Sequence, residues 1–420
     1  MRAASLHSLM WLLSQILLAP AWRDAAAAQQ PAPPASRDLY PHHTEPIGTV
    51  RQIYDGALSP ALAVNTFRNI HRLFATRTVP ASSDPLPLPD AAVPLANVRF
   101  RDHGGEYDLN AYLELNRVAA LLVLHEGRVK LERYRYGNTT RTRWMSMSIA
   151  KSITSTLIGA AMEDGFIESL SDSVTRYVPA LAGSAYDGVS IRDVLMMASG
   201  VRWNETYTDP RSDRRRLLEA QIAQRPGSLM AVMRDLPRAA EPGTVYNYNT
   251  GETQVAAEVL RAAVRRPLAT YLAERIWRPF GMEADATWWL ESPGGIEIGG
   301  SGFSATLRDY GRFGLFVLGG GIAAGDSVLP ADWVHEATTP RALRDGTRIE
   351  YGYLWWPAET PASRRDDAFM AMGIHGQYLY VNRAAQVVIV AWGARPHPTE
   401  GQVIDDWVFC DAVTAAVRSR

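Results

Sequence analysis

The residues best suited to covalent chemistry in this chain are a serine and a lysine three positions apart, Ser148 and Lys151. Apolar residues recur after them at Ile149, Ile153 and Leu157, a spacing that predicts a buried helix beginning near Ser148. Residues three apart share a helical face, so the hydroxyl and the amine can meet. A buried lysine is costly unless it is paired or neutral, and a neutral amine beside a hydroxyl is a general base beside a nucleophile. The helix start also offers free N–H groups that could bind an oxyanion.

A structural interpretation competes with this one, because a serine before a helix often serves only as its N-cap. Two other stretches add candidate groups. The turn at residues 242–251 carries Tyr246 and Tyr248, and a tyrosine there can relay a proton. A glycine-flanked histidine, His375, leads into a predicted strand whose edge N–H groups can complete an oxyanion hole. His375 can equally serve only to order the start of that strand.

Hydrophobic periodicity predicts the elements that must position these groups. A continuously apolar run at residues 119–125 and an alternating run at 129–136 flank Glu126-Gly127-Arg128 and predict a hairpin. Helical spacing predicts helices in the middle and at the C-terminus, within 190–200, 217–236, 250–264, 268–276, 306–318 and 403–417, with breaks at Pro226 and Pro267. Aromatic and β-branched runs predict three late strands, at 351–356, 378–381 and 387–392. Strands near both chain ends, with helices between them, predict an antiparallel sheet formed from both ends and flanked by helices.

The predicted fold class is therefore α/β (α+β), with an inserted all-helical lobe. The domain is predicted to span residues 48–420, with an α/β lobe at about 100–145 and 300–420 and the helical lobe at about 150–300. The chain has 420 residues, of which 47% are hydrophobic and 21% charged, which is typical of a globular protein with a large core.

Charge and cysteine content exclude several function classes. The net charge is −1 and no long basic block is present, so neither nucleic acid nor an anionic lipid surface is indicated as a partner. The single cysteine, Cys410, excludes an internal disulfide and is expected to pack as a small apolar residue. The histidines show no metal-ligand spacing, so no metal or organic cofactor is expected. The kind of partner that these observations leave is a small-molecule substrate. The sequence does not indicate an oligomeric state.

The N-terminus has the pattern of an export signal. Arg2 precedes an apolar run at residues 9–22, and four alanines at 25–28 supply small residues for cleavage. The apolar run is short for a membrane span. We therefore predict a signal peptide at residues 1–28 and a periplasmic or secreted protein, with an uncleaved membrane anchor as the alternative. The Pro/Ala/Gln-rich stretch that follows predicts a disordered linker at residues 29–47.

Six phrases, in order, resemble the serine β-lactamase and penicillin-binding-protein superfamily, for which S-x-x-K is characteristic. They are more similar to its class C-like esterase and 6-aminohexanoate-dimer hydrolase branch. The phrases are SIAKS at 148–152, GVSIRDVLMMASGVRW at 188–203, YNTGE at 248–252, SATLRD at 304–309, YGYLWW at 351–356 and HGQ at 375–377.

The resemblance implies roles for three residues in the reaction. Ser148 would be the acylated nucleophile, Lys151 the base that takes its proton, and Tyr248 the partner acid/base. Tyr246 is a rival for the last role, because Tyr246-Asn247-Tyr248 also matches the superfamily's Y-x-N triplet with a shift of two residues.

The resemblance also implies substrate-binding and oxyanion positions. His375 would stand in the place of the lysine of the superfamily's K-T-G, followed by Gly376 and Gln377, and the N–H of Ser148 would share the oxyanion with one near Tyr378. Tyr207, in the sequence WNETY, resembles a substrate-loop tyrosine that contacts the scissile amide in the dimer-hydrolase branch. The alternative for Tyr207 is loop packing.

The sequence therefore predicts an exported serine hydrolase that cleaves an ester or amide bond through an acyl-enzyme. A histidine in place of the K-T-G lysine lacks the fixed positive charge that would hold a β-lactam carboxylate, so true β-lactamase activity is not expected. One alternative is a D-Ala-D-Ala-type peptidase or weak β-lactamase. Another, of a different class, is a catalytically silent cell-wall binding or sensor protein.

Overall fold

The computed structural model describes residues 40–96 and 98–419, which form sixteen strands and fourteen α-helices. The strands are β1 Thr76–Val79, β2 Arg99–Asp102, β3 Gly105–Asp108, β4 Val118–His125, β5 Arg128–Tyr134, β6 Arg143–Met145, β7 Ala286–Trp289, β8 Phe303–Thr306, β9 Ile322–Ala323, β10 Asp326–Ser327, β11 Arg341–Ala342, β12 Arg348–Ile349, β13 Trp356–Pro357, β14 Ala368–Gly373, β15 Gln377–Asn382 and β16 Val387–Gly393. The helices are α1 Val50–Asp55, α2 Pro60–Arg68, α3 Leu109–Leu115, α4 Ile149–Glu163, α5 Val174–Tyr177, α6 Ile191–Leu195, α7 Asp213–Ile222, α8 Ser228–Arg234, α9 Thr250–Val264, α10 Leu268–Leu272, α11 Leu307–Leu318, α12 Trp333–Thr338, α13 Pro361–Arg365 and α14 Asp406–Arg418. Two 3₁₀ helices span Ile70–Arg72 and Pro179–Leu181, and a π-helical turn spans Ala273–Trp277.

The main sheet is antiparallel and has the strand order β13-β14-β15-β16-β4-β5. Strand β4 is apolar over seven consecutive residues because helices cover both faces of the sheet at its centre. Alternate β4 side chains, such as Leu122 and Leu121, enter the two separate cores on the opposite faces. Strand β16, near the C-terminus, pairs directly with β4. The sheet is thus assembled from both ends of the domain.

A second, four-stranded sheet with the order β1-β7-β8-β6 lies beside the helical region. Its edge strand β6 leads directly into α4, so it carries the chain to Ser148. Trp144 of β6 stacks on Trp392 of β16, with ring centroids 5.4 Å apart, and its indole N–H donates to Gln377 Oε1 at 2.9 Å. This contact fixes the start of α4 against the main sheet.

The structure confirms the predicted α/β (α+β) class and the antiparallel sheet formed from both chain ends. The hairpin of β4 and β5 is also confirmed, and so is the helix at 250–264. The break predicted at Pro226 within 217–236 is also confirmed, because this proline lies between α7 and α8.

Three predictions about strands are wrong. The lobe at 150–300 is not all helical, because β7 lies within it and pairs with β1 and β8. Residues 351–355 are irregular, and only Trp356–Pro357 forms a strand there. Strand β14 is absent from the prediction, although it pairs along its whole length with β15. Its sequence, AFMAMG, lacks the β-branched residues that mark the other strands.

The predicted signal peptide lies outside the described residues, as does most of the predicted linker. The linker prediction extends too far at its C-terminal end. His42 lies 2.9 Å from the Thr142 hydroxyl, and Glu45 pairs with Arg68 at 2.7 Å, so the segment beginning at Pro41 belongs to the folded unit. No helix among the described residues is long and apolar enough to cross a membrane. Cys410 is buried in the core beneath α14.

Candidate active site

Ser148 occupies the N-cap position of α4, at a tight turn after β6. The preceding residue, Met147, is buried and has a φ of 42°, a left-handed conformation that is uncommon for a residue with a side chain. The Ser148 hydroxyl makes no capping hydrogen bond to the helix. Ser148 therefore occupies the N-cap position without capping the helix through its side chain.

Lys151 lies one turn further along α4, with its Nζ 2.7 Å from Ser148 Oγ. Its amine also donates to the Gly300 carbonyl at 3.1 Å, and only 1% of the residue is exposed. Burial lowers the pKa of Lys151 to about 7, an effect that the Glu205 carboxylate opposes and the Arg214 charge assists. A substantial fraction of Lys151 is therefore neutral at neutral pH and can accept the serine proton.

The structure brings Tyr248, and not Tyr246, to the serine. Tyr248 and Ser148 line the same cleft, and Lys151 Nζ lies 5.3 Å from the centre of the Tyr248 ring. Burial raises the pKa of Tyr248 well above its usual value, and so does the charge of Glu205. Tyr246 packs against Tyr351 instead, with ring centroids 5.5 Å apart, and does not line the cleft.

The sheet edge that faces Ser148 is the end of β14. Its partner β13 pairs only with Phe369 and Met370, so the outer edge has no strand partner from Ala371 onwards. A Cβ on Gly373 would lie 2.6 Å from the Ser146 carbonyl oxygen and 3.0 Å from the Ser148 nitrogen, so only glycine allows this approach. The next N–H, that of Ile374, has no acceptor among the described residues. Ile374 lines the cleft together with Ser148.

This geometry corrects the predicted oxyanion position. Tyr378 lies inside the sheet, paired with Met372 on one side and Ala391 on the other, so neither edge of its strand is free. Its hydroxyl lies 2.9 Å from that of Tyr112, in the core beneath α14. The backbone donor left without an acceptor at the cleft is on Ile374.

His375 is buried behind the cleft rather than exposed in it. Its Nδ1 lies 2.9 Å from the Arg395 carbonyl oxygen and its Nε2 lies 3.1 Å from that of Ile53. Burial outweighs these two acceptors and lowers the pKa of His375 to about 4, so the ring is neutral at neutral pH. The imidazole therefore joins three chain segments, and the structure does not place it where a substrate would meet it.

Gly376 and Gln377 have different positions. Gly376 lines the cleft and contacts Arg395, whereas Gln377 is buried and bonds to Trp144 and to both backbone groups of Gly393. Gln377 thus holds the serine turn and the sheet together without reaching the cleft.

The cleft over Ser148 has a volume of about 440 Å³. Tyr207 lies in its wall, as does Trp356, whose ring centroid is 5.7 Å from that of Tyr248. Burial raises the pKa of Tyr207 well above its usual value, so its hydroxyl stays protonated and can donate a hydrogen bond. The remaining walls combine apolar and polar residues and are formed by Glu205, Glu359, Met372, Gly373, Ile374, Gly376, Arg395, Pro398, Thr399 and Gln402.

Sequence reasoning missed Glu205, although it lies two residues before Tyr207. Its carboxylate accepts hydrogen bonds from the Trp203 indole and from both the N–H (2.9 Å) and the hydroxyl of Thr250, at the start of α9. A negative charge is favourable at a helix N-terminus. Because Tyr248 lies two residues before Thr250, this contact also fixes the tyrosine. An acidic residue two positions from a candidate substrate-loop tyrosine was the available signal.

Comparisons with known proteins show the family to which the chain belongs. The Beta-lactamase family model matches residues 116–410. The 6-aminohexanoate-dimer hydrolase of Paenarthrobacter ureafaciens is 32% identical over 319 residues, covering 69% of this chain and 76% of the relative.

Two solved structures are also similar. A protein assigned as a 6-aminohexanoate-dimer hydrolase from Bacillus anthracis has a TM-score of 0.70 at 24% identity, covering 84% of this chain and 92% of that one. A family VIII carboxylesterase has a TM-score of 0.55 at 17% identity, covering 72% and 92%.

Proposed function

The chain belongs to the beta-lactamase family and is a serine hydrolase, and from that premise we propose that it cleaves an ester or amide bond through an acyl-enzyme on Ser148. The observation that carries the proposal is the 2.7 Å contact between Ser148 Oγ and the buried amine of Lys151. An amine whose pKa burial lowers to about 7 is matched to proton abstraction at neutral pH.

Acylation begins when neutral Lys151 accepts the proton of Ser148 as Oγ attacks the substrate carbonyl. Negative charge then develops on the carbonyl oxygen. The N–H groups of Ser148 and Ile374, two residues that line the same cleft, would stabilise that charge.

The leaving group needs a proton, and Tyr248 is placed to supply it. Tyr248 lines the cleft with Ser148, and its raised pKa keeps it protonated until the leaving oxygen or nitrogen becomes basic. Tyr248 would recover its proton from Lys151, which has taken one from Ser148. Collapse of the tetrahedral intermediate breaks the ester or amide bond and leaves the acyl group on Ser148.

Replacing Tyr248 with phenylalanine is expected to lower kcat/KM for a 4-nitroanilide by roughly 10²–10⁴-fold. The variant has no general acid, and general acid catalysis typically contributes a rate factor of this size. An ester with a 4-nitrophenolate leaving group should lose less, since that group departs without a proton. Tyr246→Phe is the matched control and should leave both rates within about threefold. Equal losses in the two variants would contradict the assignment of Tyr248, as would equal losses on the two substrates.

The walls of the cleft support a small linear substrate with an apolar acyl part. Tyr207, Trp356 and Ile374 present apolar surface near the serine, and the Tyr207 hydroxyl is available to bind the scissile group. The 32% identity to a 6-aminohexanoate-dimer hydrolase supports amides as well as esters. A panel of 4-nitrophenyl esters, 4-nitroanilides and linear amide oligomers tests this choice. Nitrocefin turnover comparable to ester turnover would favour the β-lactamase alternative.

We expect nitrocefin turnover to be much slower. The exposed end of β14, residues 371–374, carries no basic side chain to hold the carboxylate of a β-lactam. Arg395 in the cleft wall is already paired with Asp406 through two contacts of 2.6 and 2.7 Å.

Export remains part of the proposal and rests on the sequence pattern alone. Arg2, the apolar run at 9–22 and the alanines at 25–28 support a cleaved signal peptide. An intact mass that begins after Ala28 would agree with cleavage, and a full-length mass would favour the anchor.

A further inference from the structure

A small inner pocket adjoins Ser148 on the side of Tyr207. It shares Ser148, Tyr207 and Ile374 with the walls of the main cleft, and its other walls include Tyr54, Arg214 and Ser301. Its volume is about 10 Å³, compared with about 440 Å³ for the cleft. A space of this size holds about one water molecule.

Arg214 gives this pocket an unsatisfied donor. The residue is only 3% exposed, its Nη2 donates to the Tyr54 hydroxyl, and its guanidinium carbon lies 4.4 Å from the centre of the Tyr54 ring. Its Nε is buried and has no hydrogen-bond partner, and within the described part of the chain the guanidinium forms no ion pair. A buried donor left in this state is costly unless a ligand or a water completes it.

The pocket also offers acceptors. The Gly300 carbonyl oxygen, which accepts from Lys151 Nζ at 3.1 Å, has a second lone pair, and the hydroxyls of Ser301 and Ser148 lie in the same walls. A water placed there would find two to four polar partners, as buried waters do.

Arg214 is held in place by α1, a helix that precedes the segment 116–410 matched by the family model. Asp55 of α1 pairs with Arg215, and Arg51 of the same helix pairs with Glu219, so α1 is fastened to α7 at two points. Tyr54 of α1 is thereby fixed against Arg214 and against Tyr207, whose ring centroid is 6.1 Å from its own.

We propose that this inner pocket binds the water that deacylates the enzyme and that Arg214 is the residue that positions it. The proposal rests on the function proposed above. An acyl group and its leaving group require the cleft, because neither fits in the space of a single water. The pocket can therefore stay hydrated while the acyl-enzyme occupies the cleft.

In deacylation the bound water replaces Ser148 Oγ on the acyl carbon. The water oxygen forms a bond to the acyl carbon and gives one proton to neutral Lys151. The bond between that carbon and Ser148 Oγ breaks, Oγ receives the proton from Lys151, and the product leaves as a carboxylic acid. Arg214 exchanges no proton in this step, because its Nε–H only holds the water.

The test is Arg214→Met assayed by stopped flow with 4-nitrophenyl butyrate at pH 9. Loss of the Arg214 charge also raises the pKa of Lys151, and at this pH the amine is neutral in both proteins. We expect the burst of nitrophenolate, which reports acylation, to keep its rate and an amplitude of about one equivalent per enzyme. The steady-state rate should fall by roughly 10–100-fold, the equivalent of one charge-assisted hydrogen bond. In added methanol the ratio of methyl ester to acid should rise in the variant. Water that Arg214 no longer positions attacks the acyl-enzyme more slowly, so methanol from the solvent competes better with it.

Arg216→Met is the matched control, since this neighbouring arginine is exposed and pairs with Asp235 on the surface. It should change neither the steady-state rate nor the methanol ratio. Tyr54→Phe removes the hydrogen bond that orients the guanidinium and should move both readouts in the direction of Arg214→Met, by less.

An unchanged methanol ratio in Arg214→Met, or equal slowing of burst and steady state, would overturn the proposal for Arg214. Both results leave the acyl-enzyme itself intact. Wild-type enzyme that never becomes acylated on Ser148 would instead contradict the proposed function.

Discussion

Replacing Ser148 with alanine is expected to lower kcat/KM for 4-nitrophenyl butyrate by roughly 10⁴–10⁶-fold, because the acyl-enzyme can no longer form. The same change should abolish covalent labelling by a fluorophosphonate probe, which in the wild type should add to Ser148 and to no other residue. Intact-mass and peptide mass spectrometry measure both outcomes.

Ser152→Ala is the matched control for this prediction. Ser152 lies on the same helix but is buried in the core, and it donates its hydroxyl to the Leu354 carbonyl at 2.7 Å. Its loss should cost about 1 kcal/mol of stability and leave labelling intact. Ester hydrolysis that survives Ser148→Ala, or an adduct on another residue, would end the acyl-enzyme proposal and favour the silent binding protein.

Activity should fall as the pH drops through about 7, because Lys151 must be neutral to accept the serine proton and burial lowers its pKa to about that value. The plot of log kcat/KM against pH should rise with unit slope below pH 7 and level off above it. Lys151→Arg should lose at least about 10³-fold, since a guanidinium cannot be deprotonated at these pH values.

The pKa of Lys151 can be measured directly, because the chain contains only two lysines, Lys130 and Lys151. Protein labelled with ¹³C at lysine Cε should give two side-chain signals, which the variant Lys130→Met assigns. The Lys151 signal should titrate near pH 7. A Lys151 signal that stays protonated up to pH 9 would contradict the role of this amine as the base.

Lys151 is also expected to lower the free energy of unfolding of the protein. In the unfolded chain the amine is protonated below about 10.5, whereas in the folded protein it loses its proton above about 7. Between these values the unfolded state binds more protons, so the free energy of unfolding rises with pH across this window and is lowest at and below pH 7. Lys151→Met should therefore be inactive yet more stable at pH 7, by about 2 kcal/mol after the Gly300 carbonyl loses its partner. Urea denaturation at pH 7 measures the difference.

The nucleophile and its base can be predicted from the sequence because they share one helix. Ser148 and Lys151 are three residues apart, so their contact depends only on local geometry, which the apolar spacing of α4 already indicates. Tyr248 is also accessible by this route, since its turn is followed directly by the capped helix α9.

The oxyanion donor and the pocket residues depend on long-range pairing, which local patterns do not encode. Ile374 follows an uncovered sheet edge because β13 is too short to cover the end of β14, and the sequence of β14 lacks the β-branched residues typical of a strand. Histidine is a residue type that often acts in active sites, yet the ring of His375 contacts the backbone carbonyl oxygens of Ile53 and Arg395, which are distant in the chain. Arg214 resembles its neighbours Arg215 and Arg216 in sequence, and only packing distinguishes the three.

The pairing of β4 with β16 has a consequence for biosynthesis. Strand β4 leaves the ribosome with seven apolar residues in a row, and its neighbour in the sheet is synthesised only near the end of the chain. Until then one edge of β4 is open to any other extended chain, which is how nascent proteins aggregate. A premature stop codon before residue 387 should therefore yield insoluble product rather than a shortened enzyme with partial activity.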